Sequence, residues 1–362
     1  MAVGSLGCGE EAAEPTPSSG VTPPAHGARH PRLSDWGLFR DAPRQLPRDG
    51  VVPFEPIAPL FSDYTHKRRW LYLPPGEELG YSDEGAWELP VGSILIKTFS
   101  YPQDLRRPVS PEVDSAEERL METRLLHRSS AEQWTAHTYV WDEAGQQTEN
   151  KLAGATLPAS FIDSSGEERQ VDYGVPNLNA CQTCHGALDV LTPLGLTARQ
   201  LVSPIDYGAG PEDQLEHLEA LGWLDRAPSA ARERLVDPFA PGDLHQRARS
   251  YFDANCASCH REAGFAAGSG VWLDVASMHP ESGDPTRWGV CKQPTAASGA
   301  TCGLTYDIVP GHPEASILIC RTASSEREVR MPPLATTVAH AEGVAMLSDW
   351  IRALPPASCT PD

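Results

Sequence analysis

The chain has 362 residues, an apolar fraction of 40% and a formal net charge of −20 at pH 7. This length accommodates two or three domains with cores of their own. The acidic balance, without a long basic run, argues against a nucleic-acid-binding protein. No stretch approaches the roughly 20 apolar residues of a transmembrane helix. We therefore expect a folded protein that binds no nucleic acid.

The N-terminal residues 1–32 are rich in Pro, Gly, Ser and Ala, a composition that predicts a disordered leader or tether. Within them, Gly4-Ser5-Leu6-Gly7-Cys8 resembles the end of a bacterial lipoprotein signal. The match is incomplete, because Ser5 stands where Leu is usual and the charged and apolar parts of a signal peptide are missing. We expect a lipid anchor at Cys8, and the alternative is a cysteine in a disordered tail.

Residues 33–175 predict a β-rich domain. Residues 87–99, 122–126 and 134–141 are rich in β-branched and aromatic side chains, and the last run alternates clearly. Residues 142–145 predict a turn. Helical periodicity is scarce in this region, so an antiparallel sheet or a sandwich fits it best.

Two copies of the pattern C-x-x-C-H follow, Cys181-Gln182-Thr183-Cys184-His185 in a segment at 176–242 and Cys256-Ala257-Ser258-Cys259-His260 in a unit at 243–362. This pattern is the signature of covalent c-type haem attachment, in which two thiols bond the vinyl groups and the histidine ligates iron. A four-thiolate zinc site or a redox dithiol are alternatives, but neither explains the histidine after both copies. The sequence therefore predicts two covalently bound haem c groups, with His185 and His260 as iron ligands.

Apolar residues at helical spacing predict helices at 212–221, 243–255 and 341–354. Between the last two lies Arg330-Met331-Pro332-Pro333, whose prolines keep the segment out of a helix and let a loop present the Met331 sulfur to iron. Met346 is the alternative ligand, although a methionine inside a helix is more often part of the core.

A helix leading into C-x-x-C-H, a Met-Pro loop and a terminal amphipathic helix together resemble the class I cytochrome c domain. The resemblance implies that the two helices cross and that His260 and Met331 ligate the iron of the second haem. The expected fold class is therefore α+β, with a β-rich N-terminal domain followed by a mainly α-helical class I cytochrome c domain.

The second ligand of the first haem is not evident from the sequence, because no methionine occurs between Cys184 and Met278. His217 and His245 are predicted to be solvated rather than ligands. The remaining candidates lie in the β-rich region and are His66, His127, His137, Met121 and Lys97.

A wider resemblance covers nearly everything after residue 33, and it is to a family of bacterial exported dihaem cytochromes. Some relatives in that family are fused or adjacent to soluble quinoprotein sugar dehydrogenases. The resemblance implies electron relay between a periplasmic dehydrogenase or another donor and an acceptor, in the periplasm or on a membrane facing it. It is carried by Pro59-Leu60-Phe61-Ser62-Asp63-Tyr64, Pro90-Val91-Gly92, Lys97, Glu122-Thr123-Arg124-Leu125, both C-x-x-C-H copies and Arg330-Met331-Pro332-Pro333.

A weaker resemblance concerns residues 85–185 alone, which are similar to β-sheet cytochromes c-prime and to hydroxylamine-oxidising cytochromes with a lysine-linked haem. It implies an open first haem. The alternative functions are therefore a haem enzyme, either a peroxidase or a small-nitrogen-compound oxidase, and a ligand sensor.

Four further cysteines, Cys291, Cys302, Cys320 and Cys359, are expected to form two disulfides. Proximity in sequence favours Cys291 with Cys302 and Cys320 with Cys359, although four cysteines allow three pairings. Disulfides and c-type haem attachment both belong outside the bacterial cytoplasm.

Overall fold

The structure is a computed structural model that describes residues 20–25, 27–187, 190–191, 193–230, 232–279, 283–295, 299–334 and 336–359. The predicted lipid anchor at Cys8 and the side chain of Cys184 lie outside this part of the chain. Among the described helices, none has both the length and the apolar character needed to cross a membrane.

The largest element is a six-stranded sheet in the order β3-β4-β5-β6-β7-β8, with every neighbouring pair antiparallel. The predicted antiparallel sheet is therefore confirmed, and the run at 134–141 is one of its strands. The strands are β1 Phe39–Asp41, β2 Leu46–Pro47, β3 Val51–Pro53, β4 His66–Tyr72, β5 Ile94–Pro102, β6 Glu118–Arg128, β7 Trp134–Trp141, β8 Thr148–Asn150, β9 Ala155–Ile162, β10 Glu168–Val175, β11 Gly186–Ala187, β12 Val190–Leu191, β13 Ile205–Asp206 and β14 Pro211–Glu212.

Both faces of this sheet are covered. On the first face, Ile94, Ile96 and Leu125 pack with the N-terminal Leu33 and Trp36 in one apolar cluster. On the second face two separate clusters form. One includes Leu71 and Leu89 and continues into residues 196–218, and the other includes Phe99 and Val140 and continues into the hairpin of β9 and β10. Successive side chains of a strand point to opposite faces, so each central strand contributes to both sides.

Five α-helices are described. Asp213 and Asp243 cap the first turns of the second and third helices through their carboxylates, as aspartate does at many helix N-termini. The helices are α1 Leu178–His185, α2 Gln214–Ala220, α3 Leu244–Asn255, α4 Ile317–Ala323 and α5 Ala341–Ala353, and the 3-10 helices are Leu33–Trp36, Ala267–Ser269 and Pro313–Ala315.

The expectation of a mainly α-helical class I cytochrome c domain after residue 243 was wrong. In that part of the described chain α3, α4 and α5 have 12, 7 and 13 residues, and turns and short 3-10 helices connect them. Over the described chain, helices account for 17% and strands for 23% of residues, so the protein is β-rich. Glycines and prolines between 262 and 316 interrupt any continuous helical pattern.

The predicted helices that flank the second motif nevertheless form and pack together. Phe252 of α3 and Leu347, Trp350 and Ile351 of α5 share one apolar cluster. Gly343 of α5 lies so close to Tyr251 that a Cβ there would be 2.5 Å from the tyrosine oxygen. A side chain at Gly343 would therefore push the two helices apart.

Two disulfides form, but not with the expected partners. Cys291 is joined to Cys359 and Cys302 to Cys320, with Cα separations of 4.9 and 6.6 Å, both within the usual range. Cys291 packs beside the cluster that contains α5, and the chain after α5 returns to it. Disulfides of this kind are typical of an oxidising compartment outside the cytoplasm.

One buried ion pair ties β4 to β6. Arg68 donates to both carboxylate oxygens of Glu118 at 2.7 Å, and both side chains are less than 10% exposed. Burial alone would raise the pKa of Glu118, but hydrogen bonds from His66, Arg68 and Ser100 and the charge of Arg68 outweigh it and lower that pKa to about 2. The carboxylate is therefore ionised in the folded protein over the whole ordinary pH range.

Glu118→Gln leaves the buried Arg68 without a counter-charge, so it should lower the free energy of unfolding by about 3–5 kcal/mol at pH 7. Because the folded pKa lies below the ordinary value, this contribution is complete above pH 4.5 and declines as the pH falls towards 2. Denaturant titrations between pH 7 and pH 3 measure both effects.

The matched control is Glu112→Gln, which breaks the exposed pair of Glu112 with Arg44. That change should cost less than about 1 kcal/mol. Equal costs for the two variants, or a cost for Glu118→Gln that does not shrink in acid, would contradict the role of the buried pair.

Candidate functional site

The second C-x-x-C-H copy begins where α3 ends. Cys256 is the C-cap of this helix, and its amide donates to the Phe252 carbonyl at 2.8 Å. The amides of Cys259 and His260 then both donate to the Cys256 carbonyl, at 3.1 and 2.9 Å. This tight turn projects Cys256, Cys259 and His260 into one cavity.

His260 is held through one of its two ring nitrogens. Its Nδ1 lies 3.2 Å from the Val271 carbonyl, which can only accept, so Nδ1 carries the proton. Burial, and to a lesser degree the charge of Arg321, lower the pKa of His260, although the bond to Val271 opposes this shift. The ring is therefore neutral, with an Nε2 lone pair available to a metal.

The first copy forms most of the short helix α1, directly after β10. Asn177 begins this helix, accepting from the Ala180 amide through its side chain at 2.8 Å and from the Cys181 amide through its carbonyl at 3.3 Å. Burial raises the pKa of the Cys181 thiol, and the nearby positive charge of Arg124 partly offsets this. Cys181 and His185 line the same cavity as the second copy.

The two copies touch each other. Cys259 Sγ lies 3.8 Å from the Thr183 carbonyl, although the residues are 76 positions apart. The cavity they share has a volume of about 1130 Å³, above the roughly 300–1,000 Å³ of ordinary small-molecule pockets. Its size and its position between the two motifs suit more than one large flat group.

Met331 is the residue that the sequence predicted as the second iron ligand. It lines the cavity that His260 faces, and its amide is held by the Arg321 carbonyl at 2.9 Å. Met346, the alternative, is only 4% exposed inside the α3–α5 core and does not line the cavity. Of the methionines that the structure describes, only Met331 lies on this cavity.

Two of the five candidates for the second ligand of the first haem lie on the cavity, Lys97 and His137. Both ring nitrogens of His137 already have neighbours, Arg29 at 3.4 Å and Thr135 at 3.2 Å. Lys97 has its ammonium 4.8 Å from the Phe99 ring centre. The other three are engaged elsewhere: His66 with Glu118, His127 against Trp36, and Met121 in an apolar cluster.

His217 and His245, which the sequence placed in solvent, both pack against rings. His217 stacks on Tyr207 with centroids 3.5 Å apart. Nδ1 of His245 accepts from the Trp350 indole at 3.2 Å. Neither histidine lines the cavity. That they are not ligands stays a prediction, whereas both rings pack against aromatic side chains instead of lying in solvent.

Sequence reasoning missed the role of Asp63, which was noted only as part of a resemblance. Its carboxylate accepts from the Thr337 amide at 2.7 Å, the Val338 amide at 3.0 Å and the Thr337 hydroxyl at 2.9 Å. Asp63 is 1% exposed and, with Tyr64, has a positive φ that non-glycine residues rarely adopt. It therefore fixes the segment after the Met331 loop to the β-rich part of the chain.

The residues of the second motif fit a covalently attached haem, and at the first motif the described side chains of Cys181 and His185 line the same cavity. The two described disulfides join only cysteines outside the motifs, and the neutral His260 ring offers Nε2 beside a large cavity. Across the described side chains, which leave out Cys184, no cluster of three or more His, Cys, Asp or Glu has the geometry of a metal site.

Comparison of the chain with protein-family models, with curated proteins and with solved structures finds no match.

Proposed function

We propose that the protein is a dihaem c-type cytochrome that relays electrons outside the cytoplasm. The observation that carries the proposal is the meeting of two C-x-x-C-H segments on one cavity, with Cys259 Sγ 3.8 Å from the Thr183 carbonyl. A haem at each motif supplies one-electron chemistry. Because the two attachment segments meet, haems bound there would be close enough to exchange electrons over a short distance.

The arrangement of His260 and Met331 suits the second site to a low-spin electron carrier. Val271 holds His260 in the tautomer that offers Nε2, and the Met-Pro-Pro loop brings Met331 to the same cavity. A histidine paired with a thioether gives a higher reduction potential than two histidines. We therefore propose that the second haem is a high-potential, low-spin centre suited to pass electrons to the acceptor.

The proposed compartment and partners rest on the chemistry of disulfides and haem attachment and on the family resemblance. Two disulfides support an oxidising location, and c-type haem attachment in bacteria also takes place outside the cytoplasm. The resemblance to exported dihaem cytochromes favours a periplasmic quinoprotein dehydrogenase as the donor. A net charge of −20 favours partners with basic docking surfaces.

Replacing Cys256 and Cys259 by Ala should remove one haem per chain, and replacing Cys181 and Cys184 should remove the other, because each motif provides its own two thioether positions. The measurement is a pyridine haemochrome assay on protein matured by a c-type haem export system. The control pair is Cys302→Ser with Cys320→Ser, which opens a disulfide and should leave two haems. Two haems after either motif change would refute the assignment.

Met331→Ala should leave both haems attached but remove the sulfur ligand of the second. The weak charge-transfer band of a ferric iron–thioether bond, at the red end of the visible spectrum, should disappear, and the reduction potential should fall. Met346→Leu is the matched control, because Met346 lies in the core and should keep the band. Loss of the band in Met346→Leu with retention in Met331→Ala would reverse the assignment.

A further inference from the structure

Three basic side chains stand in a row across the middle of the sheet. Arg69 of β4 is the register partner of Lys97 of β5, and Lys97 is the partner of Arg124 of β6. Thr138 of β7 continues the row. Directly opposed residues have Cβ atoms about 4.5–5.5 Å apart, and like charges at such positions destabilise a sheet.

This row lies on the second face of the sheet, between its two apolar clusters. Leu71 lies two residues from Arg69, and Leu95 lies two residues from Lys97. Leu71 belongs to one cluster and Leu95 packs against it, whereas Phe99 belongs to the other cluster. All three basic residues line the cavity. The basic row therefore forms a polar part of the floor of a partly enclosed cavity rather than an ordinary solvent-facing strip.

Of these three basic residues, only Arg124 has a carboxylate in ion-pair contact among the described residues. Glu122, which is fully buried, accepts from Arg124 Nε at 2.9 Å and from the Tyr173 hydroxyl at 2.5 Å. Glu55 acts on Arg69 and Glu122 acts on Lys97 only at longer range. Burial lowers the pKa of Arg69 to about 10 and that of Lys97 well below its ordinary value, so the charged form of each is costly unless a ligand brings negative charge.

The row also lies next to the first haem-attachment helix. Arg124 is close enough to Cys181 for its charge to lower the pKa of that thiol against the larger effect of burial. The Phe99 ring face holds the basic groups in place, with its centre 4.8 Å from Lys97 Nζ and 4.3 Å from Arg124 Cζ. A haem fixed at Cys181 would thus find the basic row within the same compartment.

We propose that Arg69 and Lys97 bind the two propionate carboxylates of the haem attached at the first motif, with Arg124 held beside them by Glu122. The inference rests on the proposed function, because it requires a haem at Cys181 and Cys184. Arg69 and Lys97 match the two propionates in number, and the negative charge of a propionate would favour the protonated form of the buried lysine. Arginine and lysine both form strong charge-assisted hydrogen bonds with carboxylates.

The test uses full-length matured protein with Arg69→Gln, Lys97→Gln and both together. Lys151→Gln is the control, because Lys151 is a surface lysine paired with Glu149 and does not line the cavity. We expect two haems in every variant, a lower reduction potential for one haem in the Arg69 and Lys97 variants, and a shifted propionate band in their resonance Raman spectra. Lys151→Gln should match the wild type.

The outcomes separate this inference from the proposed function. Two haems with unchanged potentials and an unchanged propionate band in the double variant would overturn the propionate site alone, whereas no haem at the first motif in the wild type would overturn both. A low-spin to high-spin change in Lys97→Gln but not in Arg69→Gln would make Lys97 an iron ligand and refute its propionate role. Saturable spectral shifts on adding succinate to the wild type would show that the row binds free carboxylates instead.

Discussion

The contact between Cys259 Sγ and the Thr183 carbonyl joins parts of the chain that are 76 residues apart. For this contact to form, α1 must lie at the end of the β9–β10 hairpin and α3 must end directly opposite it. The cavity of about 1130 Å³ then remains between the sheet and the C-terminal elements. Protein interiors are normally close-packed, so a space of this size supports the proposal that large groups bind there.

The part of the chain after residue 243 has its own apolar cluster and is attached to the sheet through a few specific contacts. Asp63 holds residues 337 and 338, and the Phe61 amide donates to the Asn255 side chain at 2.8 Å, just before the second motif. Phe61 also stacks on His340, with ring centres 4.1 Å apart. The short segment from Phe61 to Tyr64 thus positions both the helix into the motif and the segment after the Met331 loop, and the site is built from both halves.

The sequence predicted those features that depend on local patterns. The alternation at 134–141, the helical spacing before Cys256 and the proline pair after Met331 each report on neighbouring residues, and the structure has a strand, a helix and a loop there. The cysteine pairing depends on how the chain after α5 returns to Cys291. Pairing each cysteine with its nearest neighbour in the sequence does not predict that return. The basic row was missed because Arg69 and Lys97 alternate with apolar residues, a pattern typical of a solvent-facing strand side, and only the later segments enclose that side.

Whether two haems share one cavity is tested most directly by locating iron through anomalous diffraction from crystals of the matured protein. We expect two iron positions in this cavity, one between His260 Nε2 and Met331 and the other beside His185. A single iron, two irons in separate compartments, or zinc bound by the motif thiols in place of iron would contradict it.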